Sequence, residues 1–158
     1  MILGLHHAAI STPDMERATD FYCRVLGGTL VSRKGWNKGD CPEIDLRLGL
    51  RESGAQVALV RLGAAFIEFF EYASPTPRPK DPAEVAADHG IRHVCFVVDD
   101  CMAEYERLLK LGMRFHAAPL RAPGGLCFTY GRDPDGNIIE ILEIPKGHEF
   151  PNNYNAGA

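Results

Sequence analysis

Four side chains in this sequence combine residue types and spacing that could do chemistry: His7, Glu68, His93 and Glu140. His7 lies in the stretch LHHAAISTPD, and His93 occupies the same point of IRHVCFVVDD; each histidine precedes an aspartate, Asp14 or Asp100, by the same interval. Further on, AFIEFFE and NIIEILE align residue for residue, so that Glu68 matches Glu140 and Glu71 matches Glu143. A carboxylate set among Phe66, Phe70, Ile138 and Leu142 is costly to bury unless it is paired or bound to a cation. Imidazole nitrogen and carboxylate oxygen together suit one borderline divalent ion per site, such as Zn, Ni, Co, Fe or Mn.

The elements that must carry these residues repeat as well. LHHAAI and IRHVCFVVD alternate as strands do. In the second, Arg92, Val94, Phe96 and Val98 share the face that suits packing on helices, which turns His93, and by equivalence His7, to the other face. After the first strand, Thr12 or Ser11 can cap a helix with Pro13 at its first position and Met15, Ala18, Tyr22, Val25 and Leu26 on one side, stopped by Gly27 and Gly28. After the second, DCMAEYERLLKLG reads as a helix with Met102, Tyr105, Leu108 and Leu109 inward. TLVSRK, AQVALVRLG and AAFIEFFEY are strands in the first half; MRFHAAPL, GLCFTYGR and NIIEILEI are strands in the second, the last two joined by the turn DPDG. Both halves read β-α-β-β-β, an α+β plan. It predicts a single domain over residues 1–158, with module one at 3–73, a proline-rich linker at 74–90, module two at 91–145 and a tail at 146–158. On this reading Glu71 and Glu143, on the opposite strand parity, are solvated, and His89, His116 and His148, which lack repeat partners, are surface or structural residues.

Composition narrows the function classes. The chain has 158 residues, 46% apolar and 24% charged, with a net charge of −4 and no basic run, which argues against a nucleic-acid partner. No run approaches the ~20 apolar residues that span a bilayer, and no secretory leader is expected. Five cysteines without a C-x-x-C pair fit reduced thiols and a cytoplasmic setting.

Taken together, the strand histidines, the capped helix ending at glycine and the segment YGRDPDGNIIEI resemble the vicinal oxygen chelate superfamily, the glyoxalase/bleomycin-resistance/extradiol-dioxygenase group, over roughly residues 3–145. The resemblance implies two βαβββ modules forming a cupped mixed sheet around a divalent metal, with ligands at His7, Glu68, His93 and Glu140. It also implies catalytic roles for Glu140 and Glu68, a small-molecule substrate and a homodimer. The full quartet resembles the glyoxalase I branch and, with Gln at the first Glu, methylmalonyl-CoA epimerase. Extradiol dioxygenases resemble it at His7, His93 and Glu140 only, and bleomycin-binding relatives carry no metal set. Glyoxalase I tends to place an arginine after its first ligand strand for the glutathione carboxylate; Ser11-Thr12-Pro13 stands here instead, which argues against a glutathione substrate.

The function expected is therefore a metal-dependent, glyoxalase-like lyase or isomerase that moves a proton beside a metal-bound carbonyl or enediolate. The alternatives are an Fe(II) extradiol-type dioxygenase and a protein that sequesters an antibiotic or other small molecule. Four protein ligands leave two of six octahedral positions, enough for a chelating hydroxy-ketone but crowded for catecholate plus dioxygen. Substrate contacts are expected from Trp36, Tyr130 and Arg132. His7 to His93 is a longer interval than Glu68 to Glu140, so the first half holds extra residues, which fall around 34–53 and are expected to wall the cup.

Overall fold

A computed structural model describes residues 1–152, and the end of the tail, 153–158, lies outside them. The chain divides into two compact units, Met1–Ala83 and Glu84–Ala158. The first runs β1 (His7–Ser11), α1 (Met15–Asp20) continued by a wider turn at Phe21–Val25, β2 (Thr29–Trp36), α2 (Pro42–Leu48), β3 (Gly54–Leu62) and β4 (Ala65–Ser74). The second runs β5 (His93–Val97), α3 (Cys101–Lys110), β6 (Arg114–Phe115), β7 (Leu120–Arg121), β8 (Cys127–Arg132) and β9 (Ile138–Glu143). The sheets have the same plan: β1-β4-β3-β2 in the first unit, and β5-β9-β8-β6 with β7 also on β8 in the second. In each, the first strand lies parallel to the last, which the intervening helix makes possible.

The helices are held by matching devices. Asp14 caps α1 by accepting from the Arg17 amide at 3.0 Å, and Asp100 caps α3 by accepting from the Ala103 amide at 3.0 Å. This corrects the expectation that Ser11 or Thr12 caps with Pro13 helical; Thr12 Oγ1 instead takes the Asp14 amide at 3.1 Å and sets the turn ahead of the cap. Glu71 and Glu143 are not solvated either. Glu71 Oε2 accepts from the Met15 amide at 2.8 Å, and Glu143 Oε2 from the Cys101 amide at 3.0 Å. The first-turn amides of a helix lack partners within the helix and carry its positive end, so a carboxylate from the last strand satisfies both needs.

In the first unit Met15, Ala18, Tyr22 and Val25 are buried with Val60, Ile67 and Phe69. In the second, Cys101 and Leu108 of α3 are buried with Met113, Ile139 and Ile141. Met102 and Leu109, expected inward, are exposed, because Glu143 fixes the helix by the Cys101 amide and turns the Cys101–Leu108 row down. MRFHAAPL is not one strand but the short β6 and β7, since Pro119 has no amide for the ladder. The insert carries α2, whose start at Pro42 and end at Gly49, in the left-handed region at φ 69°, are ordinary helix punctuation that a search for strand patterns passes over.

Two predictions concern these supports. Arg121, by hydrogen bonding first of all, holds the Glu143 carboxyl below its ordinary 4.5, with the Cys101 amide helping against burial. A carboxylate whose pKa is lowered by folding contributes stability that is complete above the unfolded value and drains as pH falls through the folded one. Urea midpoints are therefore expected to fall more steeply below about pH 4.5 in the wild type than in Glu143→Gln, which lacks that proton linkage. Equal slopes would dismiss the linkage. At the DPDG turn, Asp133 is 2% exposed, and its carboxylate accepts from the Asp135 and Asn137 amides at 3.0 and 2.8 Å and from Asn137 Nδ2 at 2.8 Å. Asp133→Ala strands these donors and is expected to cost about 2–3 kcal/mol in urea unfolding. A loss under about 0.5 kcal/mol would show that water replaces the carboxylate.

Candidate functional site

Strand register places the sequence-derived residues. His7 pairs with Phe66 and Ala9 with Glu68, so His7 and Glu68 share one face, one diagonal apart. In the second unit His93 pairs with Ile138 and Cys95 with Glu140, the same arrangement to the residue. The side chains meet: His7 Nε2 lies 3.2 Å from Glu68 Oε2, and His93 Nε2 lies 3.1 Å from Glu140 Oε2. Neither pair is sealed, with side-chain exposures of 38% and 27% in the first and 40% and 13% in the second. Among the described residues, no three His, Cys, Asp or Glu side chains gather into a cluster that could hold a metal.

The surroundings of the two pairs differ. Tyr130 pairs with Glu140 across β8 and β9, and its hydroxyl donates to Glu140 Oε1 at 2.8 Å. Burial first, then the bond to Glu140 and its charge, push the Tyr130 phenol up to about 12. The Cys95 thiol, beside the same carboxylate, is likewise pushed up to about 12 by desolvation and by Glu140, although the residue keeps an exposed side. In the first unit the residue across from Glu68 is Leu59. There His6 lies beside His7, Nδ1 to Nδ1 at 2.9 Å, and stacks on Phe66 with ring centres 4.7 Å apart. Nothing in the periodicity singled out His6, since it stands out of phase with the site residues.

Trp36 pairs with Ala55, and Ala55 with Tyr72, which puts Trp36, Phe70 and Tyr72 on the face that carries His7 and Glu68. Phe70 and Tyr72 stack at 5.6 Å, and Trp36 meets Tyr72 edge-on at 6.4 Å. The Trp36 indole donates to Ser53 Oγ at 2.9 Å, and the Ser53 amide donates to the buried Asp45 of α2 at 3.1 Å, so the insert fixes the indole. A cavity of about 380 Å³ opens at this end of the sheet, lined from both faces, by Trp36 and Tyr72 and by Gln56 and Glu71 among others. Arg132 shares the Glu140 face, but its guanidinium donates to the Gly136 and Glu84 carbonyls at 2.7 and 3.1 Å and to His116 Nε2 at 3.2 Å. It braces the DPDG turn, which leaves it less free for a substrate than the sequence suggests.

Two units of the same βαβββ plan, each carrying a His–Glu pair at matched register, define the glyoxalase class of α+β protein. The family model described as Glyoxalase/Bleomycin resistance protein/Dioxygenase superfamily matches residues 4–141, and the chain belongs to that superfamily. It is 31% identical over 145 residues to the Escherichia coli protein YaeR, covering 90% of this chain and 99% of that one. It is 30% identical over 159 residues to a 2-epi-5-epi-valiolone epimerase of an Actinomyces species, covering 94% of this chain and 83% of the epimerase. Among solved structures, a glyoxalase family protein from Bacillus cereus matches with a TM-score of 0.79 at 20% identity, covering 90% of this chain and 95% of that one. That likeness concerns the fold. No helix among the described residues is long and apolar enough to cross a membrane.

Proposed function

We propose that the protein is a divalent-metal-dependent isomerase or lyase that moves a proton beside the carbonyl of a small oxygenated molecule. The observation that carries this reading is the pair of His–Glu contacts, 3.2 and 3.1 Å, placed at identical register in the two sheets. Unlike Glu71 and Glu143, which the repeat also matches but which bind helix amides, these pairs stand on the opposite strand face and keep part of each side chain exposed. The donor types suit a metal: each unit offers one imidazole nitrogen and one carboxylate, the groups that such an ion takes. When bound, such an ion supplies Lewis-acid polarisation of a carbonyl, which makes the neighbouring C–H more acidic.

The chain's own residues do the rest. The histidines would serve as imidazole ligands, through the Nε2 atoms that face the carboxylates. One glutamate takes the proton from the carbon beside the carbonyl, the electron pair left behind spreads onto the carbonyl oxygen, and the same carboxylic acid returns the proton at carbon. Delivery by a second acid from the opposite face would invert the centre, as an epimerase requires, whereas return by the same acid to the neighbouring carbon gives the isomer. The aromatic strip of Phe70, Tyr72 and Trp36 offers an apolar wall for the substrate on the Glu68 face. A homodimer is part of the same proposal.

The experiment measures metal content of purified protein, then incubates the Zn²⁺-, Ni²⁺- or Fe²⁺-loaded protein in D₂O with small hydroxy-ketones and follows deuterium at carbon by NMR. An oxygen electrode runs beside it with a panel of catechols. Deuterium incorporation without oxygen uptake is the expected result. Oxygen uptake on a catechol that survives Glu68→Ala would replace this reading with the dioxygenase. Binding of small molecules with neither reaction would favour the sequestering protein.

A further inference from the structure

The register matches the two halves beyond the His–Glu pairs. Leu59 lies across from Glu68 and Tyr130 across from Glu140, so Arg61 and Arg132, each two residues further along its strand, hold the same place. Arg61 pairs with Phe66, which pairs with His7, and Arg132 pairs with Ile138, which pairs with His93. Both arginines stand on the faces that carry the His–Glu pairs, but the fold uses only one of them. Arg132 donates to the Gly136 and Glu84 carbonyls and to His116 Nε2. The matching turn of the first unit is only Gly63 and Ala64, so there is no loop for Arg61 to brace. Among the described residues nothing accepts from the Arg61 guanidinium, and the residue is exposed. Lys34 stands on the same face, across from Val57, and its ammonium has no partner among the described residues either. Apart from His7, the face therefore carries two cations against one carboxylate, Glu68, in a chain whose net charge is −4.

We infer that Arg61 binds an anionic group of the substrate, a carboxylate or a phosphate monoester, and so sets the substrate class of the site. This rests on the proton-transfer reading above and deepens it. The register orders the groups along one face in consecutive rows: Arg61 with Phe66, Leu59 with Glu68, Val57 with Phe70, and Ala55 with Tyr72. Arg61 is the diagonal neighbour of Glu68, about 7–8 Å away between Cα atoms. A guanidinium placed there reaches an oxyanion close to the carbon that Glu68 deprotonates, and the rest of the molecule then lies over Phe70 and Tyr72. A small oxo or hydroxy acid with an apolar substituent has the same order of groups: anion, acidic C–H, apolar end. The planar fork of arginine meets two oxygens of a carboxylate or phosphate at once, with hydrogen bonds that charge on both sides strengthens.

The test compares phenylpyruvate with its methyl ester, which keeps the shape and loses the charge, and dihydroxyacetone phosphate with dihydroxyacetone. Binding to metal-free full-length protein is followed by NMR. Deuterium exchange beside the carbonyl is followed separately in D₂O with Zn²⁺-loaded protein, against the rate without protein. Wild type is expected to hold one of the anions about tenfold or more tighter than its neutral partner, the worth of a hydrogen bond between charged groups. The pair with the larger ratio names the anion. Arg61→Gln is expected to bring that ratio within about twofold of unity, whereas Arg61→Lys, which keeps the charge without the fork, retains part of it. Lys34→Gln, which removes a cation of the same face farther from Glu68, is expected to change the ratio by less than about threefold. No anion preference in wild type, a preference that survives Arg61→Gln, or one that Lys34→Gln lowers equally would overturn the inference. A preference that follows Arg61 without deuterium exchange on any probe would keep the anion site and overturn the proton-transfer reading instead.

Discussion

Glu68→Gln is expected to lower kcat by about 10²–10⁴-fold while moving KM by less than about threefold, since general-base catalysis is worth that much and the amide keeps the shape. At 1.36 kcal/mol per tenfold, the loss amounts to roughly 3–5 kcal/mol of transition-state stabilisation. Glutamine preserves the volume of the side chain and its contact toward His7 Nε2, now 3.2 Å from the carboxylate, so folding and wall packing should survive. What disappears is the ability to hold a proton between removal and return. Initial rates on whichever substrate first shows deuterium exchange decide the matter. If Glu68→Gln retained more than about a tenth of wild-type kcat, the base would have to be sought elsewhere, Glu140 first. Tyr130→Phe supplies the contrast, because it leaves Glu68 untouched and frees Glu140 from the 2.8 Å hydroxyl contact. Its effect on kcat is expected to be smaller than that of Glu68→Gln.

The second large effect is on stability. Phe69 is fully buried and meets Tyr22, also fully buried, edge-on with ring centres 4.8 Å apart. That contact seats the turn after α1 on β4, the strand that carries Glu68 on its other face. Phe69→Ala removes a ring from a packed interior and is expected to cost about 3–5 kcal/mol by urea unfolding. The repeat supplies a comparison. The second unit holds Leu108 and Ile141 at the matching places, both essentially fully buried. There Ile141→Val removes one methyl group and is expected to cost about 0.5–1.5 kcal/mol. A Phe69→Ala loss no larger than that of Ile141→Val would mean that the first core collapses around the gap.

Much of this protein was legible before any coordinates. Strands alternate with a period of two, so the parity of His93, and by equivalence of His7, already put both on the face away from the helices, and the repeat matched Glu68 with Glu140. The repeat then tied the two halves together, and DPDG marked the hairpin that β8 and β9 make. These are short-range properties, written in neighbouring residues. The remainder depends on which residue faces which across strands. Glu71 and Glu143 share a parity that sequence alone assigns to water, but that parity is the helix side, and the first-turn amides of Met15 and Cys101 wait there. Tyr130 is one of several aromatic residues near the turn until the register of β8 on β9 sets it opposite Glu140, while the same register in the first sheet sets Leu59 opposite Glu68. Arg132 reads as a substrate cation until three of its five N–H donors are found on partners within the chain. Sequence periodicity fixes the face of a strand on which a side chain stands, but hydrogen bonds fall off within a few tenths of an ångström, and only strand pairing sets distances on that scale.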